Sequence, residues 1–248
     1  ILNISFANKN TIIVMDQYKY TLESSPGSVV SFGPWIEPQQ SYPQHKAKNL
    51  LNRLTIYDNG KPIIISPYLY STANLWVWDW DDTLIDIGAY TRHSMEPDLI
   101  RMHLSPQELD RDVPNNKYFK QLVEYLVKNG KRVGIASFGT YTIIKAYMDR
   151  IFGPDQRYFT AKNIMATCPD LGCNRSCINQ PINKNAYIHQ IMKEYLIQSY
   201  ETVVLFDDSS SNIADALRIG ILAFQVDEKS GLFGPRTMLI IESQIEKD

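Results

Sequence analysis

A chain of 248 residues, 44% apolar and 21% charged, is long enough for one large or two small domains with ample core. Its formal charge of −2 supplies no global basic field, which argues against nucleic acid as a primary partner, and no direct binding to it is expected. No apolar run approaches the ~18 residues of a membrane span, so no membrane partner is expected. Three cysteines, an odd number, point to a reducing, intracellular and soluble setting rather than a secreted disulfide scaffold. No basic-then-apolar leader is evident, and Ile1 in place of Met points to numbering that begins inside a longer chain.

Residues 1–74 read as a β-rich N-terminal extension. Ile12 to Tyr20 has strand-type content, Ser25 to Gln44 is a Pro, Gly and Ser-rich loop, and Lys46 to Arg53 predicts a short helix. Asp58-Asn59-Gly60 between Leu54–Tyr57 and Ile63–Ile65 is a hairpin signal, because a type I′ turn needs positive φ at both central residues. The extension is a candidate docking surface for substrate, for a second copy of the chain or for assembly partners, or it is stabilising padding.

From residue 75 to 248 the pattern alternates strand and helix. Leu75-Trp76-Val77-Trp78 runs straight into Asp79-Trp80-Asp81-Asp82-Thr83-Leu84, as a central strand buried on both faces would with carboxylates at its tip. Alternation of side chains places Asp79 and Asp81 on one side and Trp80 on the other. Two carboxylates about 4 Å apart repel by roughly 4 kcal/mol at an effective dielectric near 20, which calls for a cation or a shared proton. Asp86 to Asn116 reads as polar and irregular. A helix is predicted over Lys117 to Asn129 and a strand over Arg132 to Ala136, running into Ser137-Phe138-Gly139. A second helix spans Tyr141 to Phe152, and Asn163 to Thr167 reads as a strand. After a cysteine-containing loop, 168–183, a helix is predicted from about Lys184 to Gln198. Thr202 to Phe206 is then a strand ending in Asp207-Asp208, Ser209 to Ile219 a helix, and Ile221 to Val226 a strand. This order predicts an α/β fold with a mostly parallel five-stranded, Rossmann-like sheet and ligands at the carboxyl ends of its strands.

Three strand tips therefore carry polar groups, and Lys184 opens the helix before the fourth strand. Clustered carboxylates suit Mg2+, while a lysine, a hydroxyl and backbone amides suit phosphate oxygens. One carboxylate can then attack phosphorus, and a neighbouring one can exchange protons with the leaving group.

Asp79-Trp80-Asp81-Asp82-Thr83-Leu84, Ser137, Lys184 and Asp207-Asp208-Ser209-Ser210-Ser211-Asn212 resemble, in order, the four motifs of the haloacid dehalogenase (HAD) superfamily, and more narrowly its DxDxT protein phosphatases. The resemblance spans about Leu75 to Val226. It implies Asp79 as nucleophile and Mg2+ ligand, and Asp81 as general acid whose carbonyl also meets the metal. It further implies Asp208 as a metal ligand, Ser137 and Lys184 as catalytic phosphate-binding groups, and phosphate contacts at Asp81, Asp82 and Phe138. Thr83 would support the loop, Asp207 brace Lys184, and Asn212 stand behind them. Asp82 occupies a position where the family frequently has Gly. No local pattern singles out the lysine, for which Lys162 and Lys193 are rivals.

The stretches between Asp81 and Ser137, and between Ser137 and Lys184, leave room for little or no cap domain, so the implied substrate is a phosphoserine or phosphothreonine protein. The same arrangement also resembles the HAD-type nucleocapsid-assembly phosphatases of baculoviruses and related large insect viruses. That resemblance implies an Arg-rich, protamine-like phosphoprotein, capsid partners, and a location in host nucleus and virion. An acidic rim of Glu108, Asp110 and Asp112 would attract such a substrate, or is a plain solvated charge run. The alternatives to a protein phosphatase are a small-molecule phosphomonoesterase on the same scaffold and a catalytically dispensable assembly protein. Cys168, Cys173 and Cys177 are either ligands of a structural Zn2+, with His189 as a candidate fourth, or ordinary reduced thiols. His93 and His103 read as surface or entrance residues.

Overall fold

The computed structural model describes residues 12–16, 19–23, 55–58, 61–64, 67–93, 95–167, 183–226 and 232–238. Two antiparallel hairpins come first: β1 (Ile12–Asp16) with β2 (Lys19–Glu23), and β3 (Thr55–Asp58) with β4 (Lys61–Ile64). The second pairs Asp58 with Lys61, as the Asn59-Gly60 turn signal implies. The first splits the expected Ile12–Tyr20 strand content into two strands. The predicted loop Ser25 to Gln44, the helix Lys46 to Arg53 and the three cysteines fall outside the described residues.

Helix α1 (Pro67–Thr72) leads into β5 (Leu75–Trp78), the middle strand of a five-stranded parallel sheet. Its other strands are β6 (Arg132–Thr140), β7 (Ile164–Thr167), β8 (Val203–Asp207) and β9 (Leu222–Gln225), in the order β7-β6-β5-β8-β9. Chain order reverses at β5, so a crevice opens between the tips of β5 and β8, where such sheets bind ligands. Helices α5 (Asn116–Lys128) and α6 (Tyr141–Phe152) cross over on one side, α7 (Asn185–Glu194) and α8 (Ser210–Arg218) return elsewhere along the chain.

Alternation along β5 sorts the core. Trp76, Trp78 and Trp80 join Phe206, Phe119 and Phe233 in one cluster, with Trp78 edge-on to Phe119 at 5.1 Å and stacked on Phe206 at 6.0 Å. Leu75 and Val77 face the other way, with Leu205, Ile188, Ile191 and Met192. The lysine at the start of α7 is therefore delivered to the face on which Asp79 and Asp207 continue the odd-numbered series.

Residues 86–116 depart from the irregular loop expected of them. They form three short helices, α2 (Ala89–Arg92), α3 (Pro97–His103) and α4 (Pro106–Asp112), and bury Ile100, Leu104, Leu109 and Val113. Pro97 and Pro106 are first-turn residues that start helices rather than break them. Ser105 and Glu108 close a capping box at the head of α4. The insert lies down on α6: Arg101 pairs with Asp149 at 3.3 Å, and Arg150 donates to the Leu104 carbonyl at 2.7 Å. The strand ending at Ala136 in the sequence reading continues to Thr140. Helix α7 stops at Glu194, just before Leu196 takes a left-handed backbone at φ 56°.

Candidate active site

Register builds the centre of the site. Trp78 lies opposite Phe206, and the Asp79 amide donates to the Phe206 carbonyl at 2.8 Å, so the next residues on the two strands, Asp79 and Asp207, sit side by side. Lys184 reaches between them: its Nζ is 2.6 Å from Asp79 Oδ2 and 2.7 Å from Asp207 Oδ2. All three are nearly fully buried, at 4%, 3% and 0% exposure, so the contact is made out of water where its geometry counts. Asp79 Oδ1 accepts the Trp80 amide at 2.6 Å. Asp207 Oδ1 accepts the Ser209 amide at 2.9 Å and Asn212 Nδ2 at 3.0 Å, at the head of α8. Lys162 and Lys193, the rival lysines, are exposed.

Carboxylate oxygens of Asp79, Asp207 and Asp208 lie within 4.8 Å of one another. An all-oxygen, anionic donor set of this kind fits Mg2+, a hard cation satisfied by a few carboxylates and water. The Asp208 carbonyl accepts Gln225 Nε2 at 2.8 Å, which fixes the peptide behind that carboxylate. Burial pushes the Asp79 carboxyl well above the usual carboxylate range; Lys184 pulls it down, and Asp207 pushes it up. Asp208 is raised by burial and by Asp207. Burial works against the Lys184 charge, but Asp79 and Asp207 outweigh it and hold the ammonium protonated.

Asp81 has surroundings of its own. It lies beyond the end of β5 at Trp78 and is not among the three clustered acids Asp79, Asp207 and Asp208. Its Oδ1 accepts the Tyr90 hydroxyl at 2.7 Å instead. Burial raises the Asp81 carboxyl, while the Tyr90 hydrogen bond opposes that rise. Trp80 turns away, as alternation predicts, and packs on Tyr147 at 5.4 Å.

Asp82 adopts φ 52°, the left-handed region that Gly enters freely and Asp tolerates better than most residues. Its amide donates to the Ile85 carbonyl at 3.0 Å and is already engaged. Thr83 is fully buried, yet its hydroxyl meets no hydrogen-bond partner among the described residues. The loop is held through its carbonyl, which accepts the Phe233 amide at 2.8 Å. Ser137 is fully buried, and its Oγ accepts the Gly139 amide at 2.8 Å. The Phe138 ring lies 5.4 Å from Lys184 Nζ, and the Phe138 carbonyl accepts Thr167 Oγ1.

Sequence reasoning missed Tyr90, which lies in the insert and has no motif to mark it. The acidic rim is also corrected. Asp112 is fully buried, with Arg92 Nη2 at 3.1 Å, Tyr147 Oη at 2.9 Å and His93 Nε2 at 2.9 Å, the histidine within ion-pair distance though off the hydrogen-bond direction. Glu108 is engaged by Ser105, and Asp110 by Lys117 and Asn116. His93 is thus half-buried beside Asp112, while His103 is exposed. His189 is exposed with Nδ1 2.8 Å from Tyr200 Oη.

Fold and site together define a doubly wound α/β protein with a lysine-bridged acidic centre at the switch point of its sheet. No family model and no curated protein matches the sequence. Among solved structures, a candidate phosphatase from Clostridium difficile is 18% identical, with 66% of this chain and 87% of that one covered at a TM-score of 0.41. A candidate haloacid dehalogenase-like hydrolase from Bacteroides fragilis is 15% identical, covering 68% and 93% at 0.37. A HAD-like family hydrolase from Porphyromonas gingivalis is 17% identical, covering 63% and 92% at 0.35. All three are distant likenesses.

Proposed function

We propose that this chain is a Mg2+-dependent phosphatase of the HAD type that carries the phosphoryl group on Asp79, with phosphoserine or phosphothreonine of a protein as substrate. The observation that carries this reading is Lys184 bridging Asp79 and Asp207 at 2.6 and 2.7 Å, with Asp208 gathered beside them. A carboxylate attacks an anionic phosphoryl group only when charge around it is neutralised. The Lys184 ammonium does part of this and fixes the orientation of Asp79. Mg2+, held by the Asp79 and Asp208 carboxylates with the Asp81 carbonyl, would supply the remaining neutralisation.

In the first half-reaction an Asp79 oxygen bonds to phosphorus as the phosphorus–oxygen bond to the leaving group breaks. Asp81, raised by burial, hands its proton to the departing oxygen. In the second half-reaction Asp81 takes a proton from the water that attacks phosphorus, and Asp79 is freed. Ser137 and Lys184 hold phosphoryl oxygens. Support for a protein substrate comes from the stretch around Arg101 and Leu104, which lies down on α6 as part of the main body rather than forming a separate cap domain.

Hydrolysis of p-nitrophenyl phosphate by the wild type should require Mg2+, stop with EDTA and vanish in Asp79→Asn. Phosphopeptides should exceed sugar phosphates in kcat/KM by orders of magnitude. The reverse ranking would move the assignment to a small-molecule phosphomonoesterase. An Asp79→Asn protein that still hydrolyses p-nitrophenyl phosphate would remove Asp79 as the nucleophile, and one that keeps full biological activity without hydrolysis would move the assignment to an assembly protein.

A further inference from the structure

Tyr90 belongs to no motif and lies on a four-residue helix of the insert, yet its hydroxyl donates to Asp81 Oδ1 at 2.7 Å. Burial and the neighbouring Asp81 both push the Tyr90 hydroxyl up, so it remains a donor at any physiological pH. Across from it, a side chain on Gly139 would bring its Cβ within 2.9 Å of Asp81 Oδ2 and 3.1 Å of Ser137 Oγ. The Asp81 carboxyl is therefore clamped at one oxygen and given free space at the other.

Helix α2 is itself anchored. Arg92 reaches Asp86 at 3.2 Å and the buried Asp112 at 3.1 Å, and Asp112 also accepts the Tyr147 hydroxyl from α6. The Asp86 amide donates to the Asp112 carbonyl at 2.8 Å, which closes the start of the insert against its end. Tyr147 in turn packs on Trp80, next to Asp81 in the chain. An ionic knot of this kind holds the Tyr90 backbone in place independently of the sheet.

We propose that Tyr90 is a positioning residue for proton transfer: it occupies Asp81 Oδ1 and leaves Oδ2, beside Gly139, as the oxygen that delivers the proton to the leaving group. The proposal rests on the phosphatase reading and on Asp81 as its acid. In the step concerned, the proton passes from Asp81 Oδ2 to the departing oxygen while the phosphorus–oxygen bond breaks and Asp79 bonds to phosphorus. Tyr90 keeps its own proton throughout. A poor leaving group such as an alkyl alcohol needs that proton in the transition state, whereas 2,4-dinitrophenolate departs without it.

The test is the leaving-group dependence of kcat/KM, which reports transfer to Asp79 and not the later hydrolysis. Tyr90→Phe should lower kcat/KM for an alkyl phosphate about tenfold, a part of the ~10²–10⁴-fold that general acids contribute, and leave 2,4-dinitrophenyl phosphate within about twofold. In an Asp81→Asn background the same substitution should have no further effect. Tyr90→Leu, which removes the same donor with a different side chain, should show the same substrate selectivity and covers the case of a poorly folding Tyr90→Phe. Equal losses on both substrates, or an undiminished Tyr90→Phe effect in Asp81→Asn, would overturn the positioning role while leaving the phosphatase reading intact. A wild type inactive on both substrates would instead overturn the phosphatase reading, and this proposal with it.

Discussion

At the scale of single residues, burial separates groups whose chemistry looks alike in the chain. Lys184 is one ammonium against two buried carboxylates, so removing it leaves both charges uncompensated. Lys184→Met should cost about 3–5 kcal/mol, the range for breaking a buried ion pair, and should abolish turnover; urea unfolding and a phosphatase assay measure the two losses. A stability loss under about 1 kcal/mol would mean that the bridge is not formed in solution. Thr83 behaves oppositely. Its hydroxyl is buried without a partner among the described residues, and its hold on the loop runs through the carbonyl that accepts Phe233. Replacing an unsatisfied buried hydroxyl by an isosteric methyl is close to neutral, so Thr83→Val should unfold within about 1 kcal/mol of the wild type.

At the scale of elements, the insert over residues 86–116 connects packing to the site. Its apolar residues feed the main core, and its buried Asp112 gathers Arg92, His93 and Tyr147. Asp112→Ala should cost about 3 kcal/mol, because Tyr147 and the partly buried Arg92 lose their acceptor. It should also lower kcat/KM for alkyl phosphates more than for dinitrophenyl phosphate, since the helix carrying Tyr90 loses its anchor. Denaturant unfolding alongside the two-substrate assay checks both halves; a fully active, destabilised variant would show that the knot is only structural. The insert was misread as irregular because Pro97 and Pro106 look like breakers in a linear chain. Proline ends a helix only from its interior; in the first turn, where no intrahelical amide is needed, it starts one.

At the scale of the whole molecule, the sheet concentrates acid at one end, and the site must respond to both protons and cations. Asp79, Asp81 and Asp208 are all held above the ordinary carboxylate range, chiefly by burial. A group whose pKa is higher folded than unfolded stabilises the fold while protonated, and that contribution is lost as pH rises through the folded value. The raised Lys184 pKa has the same sign but acts in the lysine range, so its contribution persists across neutrality. Without metal, these three acids should therefore favour the fold most at mildly acid pH. Mg2+ would bind the ionised forms of Asp79 and Asp208, so the rise in Tm on adding it should be larger at about pH 8 than at about pH 5. Thermal scans at both pH values test this, and a pH-independent or absent shift would show that the acids do not form a cation site.

The linear chain alone determined the alternation of strands and helices, the buried LWVW run and the polar residues at the strand tips, because side-chain periodicity and apolar stripes are local properties. It placed Lys184 at the head of a helix but left Lys162 and Lys193 as rivals, and only the fold shows the Lys184 ammonium between Asp79 and Asp207. Tertiary structure decided which acids meet: the pairing of Trp78 with Phe206 brings Asp79 to Asp207, while Asp81, beyond the end of β5, accepts the Tyr90 hydroxyl. It likewise turned Asp112 from a rim charge into a buried acceptor and threaded Phe233 into the core against Trp78 and Phe206. Neighbours far apart in the chain are set by register and packing, and no local pattern of residue types encodes those.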